Sequence, residues 1–265
     1  MEEARKNQKL KSSDVKEIYS KEYFLYNVDG FKDFNKFNGD YDDLFSRYKE
    51  NIKLLNLRVS DKFLEIGCGR GEIVMYHGKN GGYGLGVDFS ADAIALAVEK
   101  AKQLNINCDF MVTSFEDIPE KEKFDKILAS EFIEHISEYE GLLFIKKCYN
   151  LLKENGVLVI YTYPNTLQRK VGYKFIRYKS LFTSNPFPKI QDDMKDEHYK
   201  KYHLNEQSYF RLKKLLHRYP FRVIDVFYED NNANFNPKSK ILNKLFLSTP
   251  MKHLFLTGLT AVVVK

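Results

Sequence analysis

The residues with the clearest chemical meaning are Glu65-Ile66-Gly67-Cys68-Gly69-Arg70-Gly71, in which glycine recurs at every second position. Such a loop lets the backbone turn tightly and approach a ligand where a Cβ would clash. It is not the dinucleotide fingerprint. G-x-G-x-x-G counted from Gly67 needs glycine at position 72, and Glu72 stands there, an acid where a pyrophosphate would sit. Asp88, 17 positions after Gly71, closes an apolar stretch, and a carboxylate there accepts both hydroxyls of a ribose. Loop and acid together point to an adenosine-bearing ligand. Farther along, Arg169, Lys170, Lys174, Arg177 and Lys179 interleave with Tyr173, Phe175 and Tyr178, with no acid from Asn165 to Ser180. That cluster is either a grip for a phosphate or nucleotide sugar, with the rings packing on its faces, or a solvated amphipathic helix. Cys68, Cys108 and Cys148 form no C-x-x-C pair and fit neither a disulfide framework nor a zinc site.

These residues need elements to hold them. Lys62–Ile66 (KFLEI) predicts a strand running into the loop, followed by a helix over 72–77. Tyr83–Asp88 (YGLGVD) predicts a second strand, with Ser90 as N-cap of an Ala- and Leu-rich helix over 91–103. Further strands are expected at 108–112, 124–129 and 157–163, the last entered through the turn Glu154-Asn155-Gly156, with a helix over 141–153 before it. Strands alternating with helices predict a parallel sheet with helices on both faces. Residues 56–163 are expected to form this core. Residues 1–55 read as a helical, aromatic-rich cap and residues 164–205 as a Pro-, Lys- and Tyr-rich insertion. Residues 206–265 complete the sheet with a helix over 206–218 and strands over 221–228 and 259–264. Ligands of open α/β sheets sit at the carboxyl ends of the strands, so cap and insertion are expected to close a pocket there.

The composition of the 265 residues, 43% hydrophobic and 29% charged, excludes disordered, fibrous and mini-protein classes. Leu254 to Val264 is apolar but far shorter than the roughly 20 residues a membrane-spanning helix needs, and predicts a buried strand. Met1 to Lys16 lacks the apolar region of a secretory signal, so a cytoplasmic location is expected. The net charge of +6 is regional. Residues 61–160 carry 11 Lys/Arg against 17 Asp/Glu, whereas residues 161–265 carry 19 against 8. The basic part suggests an anionic partner, whether a phosphate-bearing substrate, nucleic acid or a membrane surface, or a solvated face.

Over residues 60–163 the chain resembles the class I S-adenosylmethionine-dependent methyltransferases. LEIGCGRGE is similar to that family's first motif and GVDFSADAIALA to its second. TSFEDIP is similar to the adenine-side segment after the third strand, and FDKILASEFIEHI to the fourth strand with its exit. FRVIDVF and LTAVVVK are similar to the antiparallel pair that closes the family's sheet. The resemblance implies an α/β, Rossmann-like, seven-stranded and mostly parallel sheet with an antiparallel last strand, a helical N-terminal cap and an insertion after strand 5. It implies that Gly67, Cys68, Gly69 and Gly71 line the methionine part of S-adenosyl-L-methionine and that Glu65 braces the loop. Asp88 would then hold the ribose, Phe89 would pack on adenine, Ser114 and Phe115 would border its edge, and Ser130 would complete the contacts. The family often carries Asp where Ser114 stands, so Phe115 is expected to contribute more by packing. The EYF of the preamble and EHYKKYHLNEQSYFRLKKLL after the insertion resemble a branch that modifies small molecules or polysaccharides.

Methyl transfer from a sulfonium is an in-line displacement, so the protein mainly holds nucleophile, methyl and sulfur collinear in a dry site. A hydroxyl acceptor must also lose its proton, and histidine takes a proton near neutral pH. His135, just after the fourth strand, is the expected general base. Tyr23, Tyr163, Asn165, Arg169, His198 and His203 are expected on the acceptor side, and His77, His217 and His253 at surface or packing positions. Glu131 and Glu134 flank the same exit without a recognised set of hard-cation ligands, and no metal dependence is expected. The leading expectation is O-methylation of a small molecule, sugar or glycan-related acceptor, with S-adenosyl-L-homocysteine as product. The alternatives are an RNA or protein methyltransferase using the basic C-terminal region and a non-catalytic adenosine-ligand binding module.

Overall fold

The computed structural model describes residues 19–26, 31–182, 186–189, 199, 202–229 and 250–265. Strand β1 (Lys62–Ile66) lies between β2 (Tyr83–Asp88) and β4 (Phe124–Ser130), parallel to both. β3 (Asp109–Val112) continues outward from β2, and β5 (Leu152–Thr162) from β4. β7 (Gly258–Val264) runs antiparallel to β5 and to β6 (Val223–Glu229), giving the order β3-β2-β1-β4-β5-β7-β6. This is the seven-stranded, mostly parallel sheet with an antiparallel last strand that the motifs implied. The strand order reverses between β1 and β4, which sets the crevice at their carboxyl ends.

Side chains alternate between two faces because the strand period is two. On one face Leu64, Ile66, Ile127, Leu158 and Ile160 pack against Phe144, Ile145 and Cys148 of a helix over Glu138–Leu151, and against Leu212 and Leu216 of a helix over Tyr209–Leu216. On the other, Phe63, Leu128 and Val159 meet Ile52 and Leu55 of a helix over Ser46–Leu55. Ile73, Val74 and Met75 of α-helix Glu72–Lys79, and Ile94 and Ala101 of α-helix Ala91–Gln103, complete that layer. The short helix Lys21–Tyr26 packs Phe24 on Ala93 and Leu96, so the N-terminal segment rides on the helix that follows β2.

Several boundaries differ from the sequence reading. The helix expected from 141 begins at Glu138, because Ser137 and Glu140 form a capping box: Ser137 Oγ accepts from Glu140 N (3.2 Å) and Glu140 Oε2 accepts from Ser137 N (2.7 Å). The turn expected at 154–156 lies within β5, which starts at Leu152, and Asn155 makes the bend with φ 65°. The helix expected over 206–218 shrinks to Tyr209–Leu216, capped by Ser208. Leu254 does not begin a strand; Lys252–Phe255 is a helical turn and β7 starts at Gly258. Among the described residues no helix is long and apolar enough to cross a membrane.

Candidate functional site

The glycine loop is tied down by its backbone. Gly67 N and Cys68 N both donate to Val87 O of β2 (2.8 and 3.1 Å), and Gly71 N closes on Cys68 O (2.9 Å). Gly67 and Gly71 have φ of 72° and 74°, in the left-handed region that favours glycine. Neither has space for a side chain: a Cβ would lie 2.6 Å from the Phe132 ring at Gly67 and 2.3 Å from the Phe110 ring at Gly71. Arg70 is fully buried between them in sequence. Its guanidinium donates to Phe24 O (3.0 Å), pairs with Glu72 (2.9 Å) and lies 4.9 Å over Phe34, joining the N-terminal segment to the loop.

Asp88 reaches across from the end of β2. Its Oδ2 accepts from Gly69 N (3.0 Å) and its Oδ1 from Ser90 N (2.9 Å), which leaves a lone pair on each oxygen for hydroxyl donors. Burial pushes the carboxyl up to about 6, although the backbone N–H groups of Ser90, Gly69 and Phe89 favour its charged form. Ser90 caps its helix as expected, accepting from Ala93 N (3.3 Å), and donates to Tyr19 O (3.0 Å).

A cavity of about 760 Å³ opens at this edge of the sheet, a size that suits a small molecule. Gly67, Cys68, Gly69, Asp88, Phe89, Ser114, Phe115 and Ser130 all line it, as does Glu65. Glu65 does not brace the loop: its carboxylate makes no hydrogen bond, and Oε2 is buried and unpartnered. Burial, with Glu72 and Asp88 nearby, holds this acid well above the usual carboxylate range. The Tyr19 hydroxyl, also in the wall, is a second buried orphan. A lone buried acid and an unmatched phenol suit a ligand that carries a cation and hydrogen-bonding groups, so these residues fit S-adenosylmethionine.

The rest of the wall is aromatic and imidazole. Ser130 Oγ accepts from Asn51 Nδ2 (3.1 Å), and Glu131 follows with φ 52°, a left-handed conformation that costs a non-glycine residue about 1–3 kcal/mol. Its N–H donates to Tyr161 O (2.9 Å) and its carboxylate pairs with Arg47, whose guanidinium lies 4.2 Å over the Tyr161 ring. Glu134 is buried and accepts from Thr162 Oγ1 (2.9 Å) and Tyr163 N (3.4 Å); burial and then Glu131 push it up to about 8. His135 sets Nδ1 3.1 Å from Tyr202 O, and burial followed by the charge of His203 presses it down to about 3. Its imidazole is therefore neutral, with Nε2 the acceptor when Nδ1–H donates to that carbonyl.

Of the expected acceptor-side residues, Tyr23, Tyr163 and His203 line the cavity with His135. Asn165 does not. It is fully buried, donating to His253 O and Leu256 O (2.9 Å each) and accepting from Leu167 N (3.1 Å), so it anchors the insertion to the segment before β7. Arg169 is also absent from the lining: buried, it pairs with Glu206 (3.1 Å) and lies 4.6 Å over Tyr199, supporting the wall from behind. Gly71 serves the turn and its packing rather than the lining. His198 lies outside the described residues. Tyr19, Arg70, Phe132, Tyr199 and Tyr202 were missed as site residues. The aromatic pattern of 199–203 was the available signal for the last two, but no spacing rule ties them to a strand end.

The sheet order, the loop after β1 and the acid ending β2 are those of the Rossmann-like fold found in class I S-adenosylmethionine-dependent methyltransferases. Residues 63–156 match the methyltransferase domain family. The chain is 37% identical over 149 residues to a ubiquinone biosynthesis O-methyltransferase of Pelagibacter ubique (53% of this chain, 60% of that protein). It is 34% identical over 116 residues to one of Bradyrhizobium diazoefficiens (44% and 45%). The match thus spans about half the length of these curated relatives. Among solved structures, the fold is similar to a magnesium protoporphyrin IX methyltransferase from Synechocystis with bound S-adenosylhomocysteine (TM-score 0.55, 15% identity, 96% of this chain and 99% of that one). It is also similar to a SAM-dependent methyltransferase from Methanosarcina mazei (TM-score 0.53, 18% identity, 84% and 98%).

Proposed function

We propose that the protein is an S-adenosylmethionine-dependent O-methyltransferase acting on a small molecule. The observation that carries this reading is one continuous cavity, walled by the glycine loop and Asp88 together with tyrosines and histidines of the N-terminal segment, the exits of β4 and β5 and the insertion. S-adenosylmethionine supplies an electrophilic methyl group when bound. Asp88 would accept from the ribose hydroxyls through its remaining lone pairs, Phe89 and Phe115 would flank the adenine, and Glu65 would ionise against the ligand's positive charge. Tyr19, Tyr23, Tyr163 and Tyr202 enclose the acceptor and exclude water, which strengthens every polar contact inside. The curated relatives support an oxygen acceptor on a small molecule, and nothing in their names supports the sugar or glycan expected from the finer resemblance. Isothermal titration tests the cofactor half: S-adenosylhomocysteine should bind one to one, and no heat would remove the reading. Incubation with methyl-labelled S-adenosylmethionine and a pool of phenols, catechols and sugars should label a hydroxyl compound. Label confined to added RNA or protein would overturn the small-molecule assignment.

A further inference from the structure

Among the described residues two histidines, His135 and His203, face the cavity, and their surroundings differ. His203 has its Nδ1 3.6 Å from Glu206 Oε1, within ion-pair reach of a protonated ring and just beyond hydrogen-bond length. The same oxygen accepts from Arg169 Nη1 (3.1 Å) and Tyr199 Oη (2.9 Å), and Glu206 itself stands outside the lining. The Tyr199 ring stacks on His203 at 3.8 Å, and the Arg169 guanidinium lies 4.6 Å over the same Tyr199 ring. Among the described residues, His203 also has His135 edge-on at 4.9 Å and Tyr202 at 5.2 Å. His135 has a backbone carbonyl, not a carboxylate, at its Nδ1. A carboxylate behind one ring nitrogen fixes the tautomer and makes the other more basic, whereas a buried imidazole on a carbonyl stays neutral.

We propose that His203, backed by Glu206, is the base that takes the acceptor's proton, in place of His135. This deepens the O-methyltransferase reading and rests on it. The acceptor O–H proton passes to Nε2 of His203 as the oxygen–methyl bond forms and the methyl–sulfur bond breaks, its electron pair remaining on sulfur. The imidazolium so formed sits beside the Glu206 carboxylate until its proton leaves to water. His135 then serves as a neutral hydrogen-bonding wall. Against burial, His203, Arg169 and Tyr199 together hold the Glu206 carboxyl below its ordinary range.

The test is a histidine titration by long-range proton–nitrogen NMR, on the full chain labelled with nitrogen-15 and saturated with S-adenosylhomocysteine. His203 should titrate near neutral pH, identified by its loss in His203→Gln, while His135 stays neutral across pH 5 to 8. Glu206→Gln should lower the His203 midpoint by a unit or more, and a folded His203→Gln should bind S-adenosylhomocysteine within twofold of wild type. A His203 that stays neutral to pH 5, a midpoint unmoved by Glu206→Gln, or protonation of His135 instead would overturn the assignment. Failure of S-adenosylhomocysteine to bind removes the cofactor reading instead, and titration of the unliganded chain still decides which histidine is the more basic.

Discussion

Asp88 shows how one side chain does two tasks. Each of its oxygens already holds a backbone N–H, so it fixes the loop and presents the remaining lone pairs to a ligand. Asp88→Asn should weaken S-adenosylhomocysteine binding by about 1.5–3 kcal/mol, the range for hydrogen bonds to a charged group, read by isothermal titration. Wild-type affinity should rise with pH through about 6, where the carboxyl ionises, and the variant's should not. The stability sign is opposite. The folded carboxyl holds its proton to a higher pH than the unfolded one, so the wild type loses stability relative to Asp88→Asn as pH rises from 3.8 to about 6. Urea unfolding of both proteins at pH 4 and pH 7 checks that direction. Glu65 makes a related case. Its orphaned carboxyl destabilises the ligand-free fold, so Glu65→Gln should raise the melting temperature of the ligand-free protein and weaken cofactor binding at once. A variant that melts lower without ligand would show that Glu65 supports the fold after all. Both acids were readable in the sequence as a loop residue and a strand terminus, but the missing partner of Glu65 was not, because partnership depends on what the chain brings from elsewhere.

At the scale of elements, the loop glycines are demanded by their neighbours as much as by their own backbone. Gly71 turns at φ 74° with the Phe110 ring of β3 2.3 Å from where a Cβ would be. Gly71→Ala should destabilise by about 2–4 kcal/mol, combining left-handed strain with overpacking, as a lower urea midpoint at unchanged slope. Alternating glycines after a strand were enough to locate this bend. The Phe110 contact that excludes a side chain became visible only when β3 was placed beside β2. The helix at Glu138–Leu151 teaches the reverse. Ser137-Glu138-Tyr139-Glu140 is a capping box legible in one dimension, and a reading of apolar spacing alone began the helix three residues late. Arg169 and Asn165 went astray for a physical reason: a cation and an amide after a strand look available to a ligand, yet both are buried and consumed by Glu206 and by the backbone before β7.

For the whole molecule, the excess of 19 Lys/Arg over 8 Asp/Glu in residues 161–265 is the one feature that pulls toward nucleic acid. The cationic cluster does not act as a single face, since Arg169 is buried while Lys170 and Lys174 are exposed. Fluorescence anisotropy with a labelled single-stranded RNA should therefore show only weak binding that vanishes between 50 and 200 mM salt, the sequence-independent behaviour of scattered cations, roughly as counterion release dictates. Saturable binding that survives the higher salt would revive the RNA reading. The cavity's own ligand should respond little to salt, because its polar contacts are enclosed and screened weakly.

The sequence alone determined what is local or periodic: the strand–loop–helix order, the glycine bend, the acid closing β2 and the cap at Ser90. Those features follow from steric and hydrogen-bonding rules acting over a few residues. Only the tertiary structure decided which side chains meet. It brought Tyr19 from the N-terminal segment, His135 from the exit of β4 and His203 from the end of the insertion to one cavity, and set Glu206 behind a single one of those histidines. Contacts between residues 70 or more positions apart depend on packing of the two apolar layers against the sheet, and no pattern along the chain records them.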